Sequence, residues 1–214
     1  DYKVTGVQTC ALPISTGYGP WPAAWMMGTN ISSAGWPACG EIDVMEWRSS
    51  TNGTTADANT VGHALHSSTR NGNNPVQPAS RSSVTNPSSA FHTYAVVWTS
   101  TNMVFSVDGV DKATLTPPTA DAAAFQKEFF LLLNLAMGGN YVGNNISSSL
   151  TSATYELDYV RVYQGASSST PADTTAPVIT LSGANPVSVS WGATYSDRKS
   201  TRLNSSHLVI SYAV

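Results

Sequence analysis

GEIDVMEW (Gly40–Trp47) places three carboxylates, Glu41, Asp43 and Glu46, in a run whose other side chains (Ile42, Val44, Met45, Trp47) suit a half-buried strand. Only 11% of the chain is charged, so the crowding needs a reason. On a flat strand side chains alternate, which sets Glu41 and Asp43 on one face and Glu46 on the other. One extra residue at Val44–Met45 repairs this. A β-bulge there returns Glu46 to the Glu41 face, as bulges beside active sites re-aim a side chain. Four effective steps of ~3.3 Å then separate the Glu41 and Glu46 backbones by ~13 Å, a gap that two inclined glutamates on a bent strand can largely close.

Paired carboxylates suit glycosidic bond cleavage. One must be ionised and one protonated, and like charges held close drive their pKa values apart. A separation of ~5–5.5 Å serves a retaining mechanism and ~6.5–9.5 Å an inverting one; strand arithmetic permits the first without requiring it. Asp43, between them on the same face, is placed to hydrogen-bond the nucleophile. Two plainer readings compete. A solvated acidic face conflicts with the apolar partners, since uncompensated buried acids are costly. A calcium site more often draws on loop carbonyls.

Outside this strand, runs of β-branched and aromatic residues bounded by turn residues predict strands at 21–27, 61–66, 92–98, 103–107, 129–135 and 155–163. Asp108-Gly109 predicts a hairpin leading into a short strand at 110–113. The one helical turn expected lies near 120–125. The fold class is all-β, a sandwich or jelly roll. A net charge of −3 gives no reason to expect nucleic acid or an anionic membrane as partner. No apolar run approaches the ~20 residues of a membrane helix. Beyond 165, residues 166–176 read as a Ser/Thr/Pro linker, and 177–196 as the start of an immunoglobulin-like module. That arrangement suggests a secreted bacterial protein.

The ends read differently. Residues 4–14 (VTGVQTCALPI) and 197–207 (DRKSTRLNSSH) can be encoded by reverse-complementary DNA, and the match runs outward into 2–3 and 208–209. Both resemble a translated sequencing adapter in opposite orientations. Residues 1–14 and 197–214 are therefore set aside from the fold. Cys39 is then the one native cysteine, so no disulfide is expected. The N-terminal strands of the sandwich are expected to be missing, the natural protein longer, and the chain as given inactive.

GEIDVMEW resembles the active-site strand of glycoside hydrolase family sixteen in its bulged Glu-x-Asp-x-x-Glu form. GPWPAAWMMG, GWPACGEIDVMEW, FHTYAVVWTS, FSVDG, FFLLLNLAMGG and YELDYVRVYQ resemble further segments of that family in the same order, covering residues 18–164 of a catalytic domain spanning 15–165. The resemblance implies a jelly roll of two curved antiparallel sheets with a glycan cleft on the concave face. It implies Glu41 as nucleophile, Glu46 as acid/base and Asp43 as assisting residue. The laminarinase branch, acting internally on β-1,3-glucan, looks nearest. Agarase or carrageenase branches and a glycan-binding relative without activity are the alternatives.

Trp21 and Trp25, four apart, share a face of an unbulged strand and would offer flat platforms to sugar rings. Trp36 and Trp47 lie in the resembling segments and divide evenly between cleft and core. His66 matches a family strand ending at the cleft. Asn134 is a candidate donor to a sugar hydroxyl or a strand cap. His63 and His92 read as structural. No cofactor is expected for catalysis. The resemblance implies a structural calcium on the convex side, with Asp158 as candidate ligand. The expected partner is a polysaccharide, and the expected state a monomer.

Overall fold

The computed structural model describes residues 5–15, 17–53, 55–67, 79–164 and 208–213. The linker at 166–176 and the module at 177–196 lie outside the described residues. In chain order the strands are β1 (Thr5–Ser15), β2 (Pro20–Gly28), β3 (Glu41–Trp47), β4 (Ser50–Thr51), β5 (Thr55–Ala56), β6 (Thr60–His66) and β7 (Ala79–Ser83). They continue with β8 (His92–Trp98), β9 (Met103–Val107), β10 (Val110–Leu115), β11 (Phe129–Met137), β12 (Ser152–Gln164) and β13 (Leu208–Ala213). A one-turn helix α1 (Ile31–Ala34) and two 3₁₀ turns, Thr119–Phe125 and Asn140–Val142, complete the described elements. None of these helices is long and apolar enough to cross a membrane.

Two antiparallel sheets form the sandwich. One runs β10-β9-β8-β1-β12-β13 and the other β11-β2-β3-β6-β7. Strand alternation builds the core: Met103, Phe105 and Val107 of β9 point inward, as do Tyr94, Val96 and Trp98 of β8, against Ile42, Val44, Met45 and Trp47 of β3. Burial of each such large side chain is worth about 1.5–3 kcal/mol relative to exposure. Asp108 and Gly109 both take positive φ, 51° and 75°, as the two-residue hairpin between β9 and β10 requires.

The expected strands at 41–47, 92–98 and 103–107 have those bounds in the structure, and the others extend by a few residues. One expectation fails. Residues 5–14, set aside as adapter-derived, form most of β1, and 208–213 form β13. β12 therefore lies between β1 and β13, and β3 between β2 and β6, so neither is left without neighbours. The reason is physical. Val7, Thr9 and Ala11, which share the inner face of β1, are small enough to be buried, while the ladder itself is made of backbone groups that any residue but proline supplies in full. Cys10 and Cys39 are both buried free thiols.

Candidate active site

The site sits on β3, and its bulge is present. Asp43 pairs with Trp25 and Ala64, and Glu46 with Ala23 and Gly62; the register shifts at Val44–Met45 on both sides. Val44 and Met45 are consecutive yet both wholly buried in the core. Glu41, Asp43 and Glu46 consequently line one cleft of about 150 Å³ with Trp21, Ala23, Trp25, Asn134 and Ala136. The carbonyl at the bulge is satisfied from the core side. His63 Nδ1 lies 2.7 Å from Val44 O, so this nitrogen carries the proton and donates, and Nε2, 3.0 Å from Ser82 Oγ, accepts. Burial pushes the His63 pKa down, which keeps the ring neutral.

Each acid has its own surroundings. The Trp21 indole donates to Glu46 Oε1 at 2.9 Å, and that of Trp36 to Glu41 Oε2 at 2.7 Å. Burial, reinforced by the Asp43 and Glu41 charges, pushes Glu46 up to about 8, although the Trp21 bond works in the opposite direction. Asp43 is 3% exposed. Burial first, then the neighbouring Glu41 charge and a hydrogen bond with Glu41, hold its carboxyl well above the usual carboxylate range. His66 Nε2 stands 3.0 Å from Asp43 Oδ2 and 3.6 Å from Glu41 Oε1. The contact to Asp43 is close in distance without hydrogen-bond alignment, since Asp43 Oδ2 makes no hydrogen bond among the described residues.

The structure brings together eight of the ten candidate residues. Trp25 is held by its indole donating to Asn134 Oδ1 at 2.7 Å, which makes Asn134 a mid-strand cleft residue of β11 rather than a strand cap. Trp36 is 47% exposed and its ring tilts against His66, with centroids 6.0 Å apart. Trp47 is not in the cleft. It is 2% exposed in the core, and its indole donates to Ala58 O. Next to Glu46 and past the bulge, it must point to the opposite face.

Asp158 is also elsewhere, in β12 on the other sheet. The β1–β12 register shifts at this point, where Cys10 pairs with Tyr159 and Ala11 with Leu157. This irregularity ends the simple alternation: Tyr155 and Leu157 are buried, whereas Tyr159 lies under Arg161, 4.1 Å from its ring. Calcium takes six to eight oxygen ligands. Among the described residues the one cluster of three or more acid, histidine or cysteine side chains with metal-ligand spacing is Glu41, Asp43 and His66, without Asp158.

Residues that sequence reading missed surround Glu46. Tyr141 stacks on Trp21 with centroids 5.2 Å apart and donates its hydroxyl to Glu46 O at 3.2 Å. Tyr141 lies 95 residues from Glu46, so no local spacing signals the contact.

Fold and site together define a jelly-roll sandwich with a carboxylate-lined cleft across one sheet. The family model of glycosyl hydrolases family 16 matches residues 4–161, and the chain belongs to that family. It is 34% identical over 160 residues to the clotting factor G alpha subunit of Tachypleus tridentatus, covering 74% of this chain and 22% of that protein. It is 33% identical over 160 residues to glucan endo-1,3-beta-glucosidase A1 of Niallia circulans, covering 71% of this chain and 23% of that one. Among solved structures, the laminarinase catalytic domain of Thermotoga maritima MSB8 superposes with a TM-score of 0.65 at 30% identity, covering 77% of this chain and 65% of the other. The chain thus spans less than a quarter of the length of these two relatives.

Proposed function

We propose that this chain is the catalytic part of an endo-acting hydrolase of β-1,3-glucan that retains the anomeric configuration. The observation that carries the reading is the division of labour on one strand. Glu46 is held protonated up to about pH 8, while Glu41, 14% exposed at its side chain, receives the Trp36 N–H. In the first step a Glu41 oxygen attacks the anomeric carbon. The glycosidic bond breaks, and its oxygen leaves with the Glu46 proton. In the second, the Glu46 carboxylate takes a proton from water, whose oxygen displaces Glu41 from the same carbon. Asp43 hydrogen-bonds Glu41, which steadies the nucleophile's orientation. Trp21, Trp25 and Trp36 offer ring faces to the sugars, and the Asn134 amide, its oxygen engaged by Trp25, is left to donate.

Secretion from a bacterium and a monomeric state belong to the same proposal. Secretion is supported by the composition of the linker and accessory segment. A structural calcium is proposed only for a protein that adds further oxygen ligands around Asp158; the chain as given should melt at the same temperature with calcium or with chelator. The test of function is hydrolysis of laminarin, lichenan, agarose and carrageenan. Laminarin should be cut internally. Glu41→Gln should lose several orders of magnitude in rate while still binding oligosaccharide. Glu46→Gln should regain much of its loss on substrates whose leaving group needs little acid help. Equal, modest losses from both changes would exclude these roles. Preference for agarose or carrageenan would assign the cleft to a galactan instead.

A further inference from the structure

Tyr141 reaches Glu46 by two routes. Its ring backs the Trp21 indole that donates to Glu46 Oε1, and its own hydroxyl donates to the Glu46 carbonyl. Both routes demand close approach, and two glycines provide it. A Cβ at Gly139, whose φ is +103°, would come within 2.9 Å of Trp21 Cζ3, and one on Gly62 within 2.7 Å of the Tyr141 hydroxyl.

The tyrosine is itself clamped. Arg81 Nη1 donates to its hydroxyl at 2.6 Å, and the Arg48 guanidinium sits 4.5 Å above its ring and donates to its backbone carbonyl. Asp57 ties the two arginines together, 2.7 Å from Arg48 Nε and 3.7 Å from Arg81 Nη2. Two cations around one aromatic ring are more than packing needs. A cation over a ring face is attracted to it, and the charge-assisted bonds fix the ring's rotation.

We propose that Tyr141, clamped by Arg48 and Arg81, is a positioning residue that sets the direction in which the Glu46 carboxyl points into the cleft. The inference rests on the reading of Glu46 as acid/base. A mispointed acid fails to protonate the departing oxygen, so the loss should be greatest where that oxygen is a poor leaving group. A merely structural role would slow all substrates alike.

The experiment compares kcat/KM of the full chain on laminarin with kcat/KM on an aryl β-1,3-gluco-oligosaccharide carrying an acidic phenol. Tyr141→Ala should lose ~10-fold or more on laminarin and less than ~3-fold on the aryl substrate, because an acidic phenol departs with little proton transfer. Tyr141→Phe keeps the stack on Trp21 and loses the hydroxyl contacts, so it should show the same split at smaller size. Arg81→Gln should resemble it. If Tyr141→Ala fails to fold, the latter two variants carry the comparison. Equal losses on both substrates in folded variants would overturn the inference and leave the function standing. A wild-type chain that cleaves none of the four polysaccharides nor the aryl substrate would overturn both.

Discussion

Glu46 is costly to its own fold. Its pKa is raised from an ordinary 4.5 to about 8, chiefly by burial, so the folded chain holds this proton more tightly than the unfolded one. A raised folded pKa contributes stability that is complete below about 4.5 and is lost as pH climbs through about 8. Asp43 shifts the same way, by burial and the Glu41 charge. Melting temperature should therefore fall as pH is raised across this window. Glu46→Gln should flatten part of that fall and melt higher than wild type at pH 8, while losing activity on laminarin. Scanning calorimetry at several pH values checks it, and a variant whose profile parallels wild type would show that Glu46 is not the strained group. The residue that makes the chemistry possible is thus one the fold would be more stable without.

The bulge in β3 is legible because the chemistry demands it: three acids at that spacing share a face only if one residue is extra. Carried one position further, the same logic sends Trp47 to the core, where the structure has it; counting aromatic residues near the motif hides this. Trp21 and Trp25 follow from alternation on β2, whereas Asn134, inside an apolar run, is told apart from a strand cap only by its bond to Trp25. His66 is placed by resemblance, since one histidine at a strand end carries no pattern. Tyr141, Arg48 and Arg81 were not legible, because their contacts join a 3₁₀ turn, the end of β3 and the edge strand β7. His63 is structural, and its particular task is to donate to the Val44 carbonyl at the bulge. His63→Leu would leave the Val44 carbonyl buried without a donor, a loss of about 1–3 kcal/mol. Its lowered pKa also gives an acid limb. That stability is present above about 6.5 and is lost as pH falls through the depressed folded value. Chemical denaturation at pH 7 and 5 should show His63→Leu less stable than wild type at pH 7, with the difference smaller at pH 5.

At the scale of the whole molecule, the outer sheet depends on a segment that sequence reading set aside. β1 pairs with β12 from Thr5 to Ser15 and with β8 from Thr5 to Ala11. The nucleic-acid complementarity of residues 4–14 and 197–207 speaks to their origin. It says nothing of whether a chain so spelled can lie in a sheet, because backbone hydrogen bonds do not read side chains. The core asks of β1 little more than Val7, Thr9 and Ala11 on its inner side. Ala11, wholly buried, makes the point testable. Ala11→Asp would bury an unpaired charge, so it should lower the melting temperature sharply or prevent folding. A variant that melts like wild type would show that residues 5–15 do not hold this strand in solution.

The placement of Trp36 has an optical consequence. It is the exposed tryptophan among those described, and its indole N–H rests on Glu41. A sugar that claims Glu41 must break or bend that bond and shed water from the ring, and either event changes the light the indole emits. Emission should therefore shift towards the blue as a β-1,3-gluco-oligosaccharide is titrated into the inactive Glu46→Gln chain. The shift should vanish in the Trp36→Phe double variant. The nucleophile would then carry its own fluorophore, reporting occupancy of the cleft without a label and before any bond is cut.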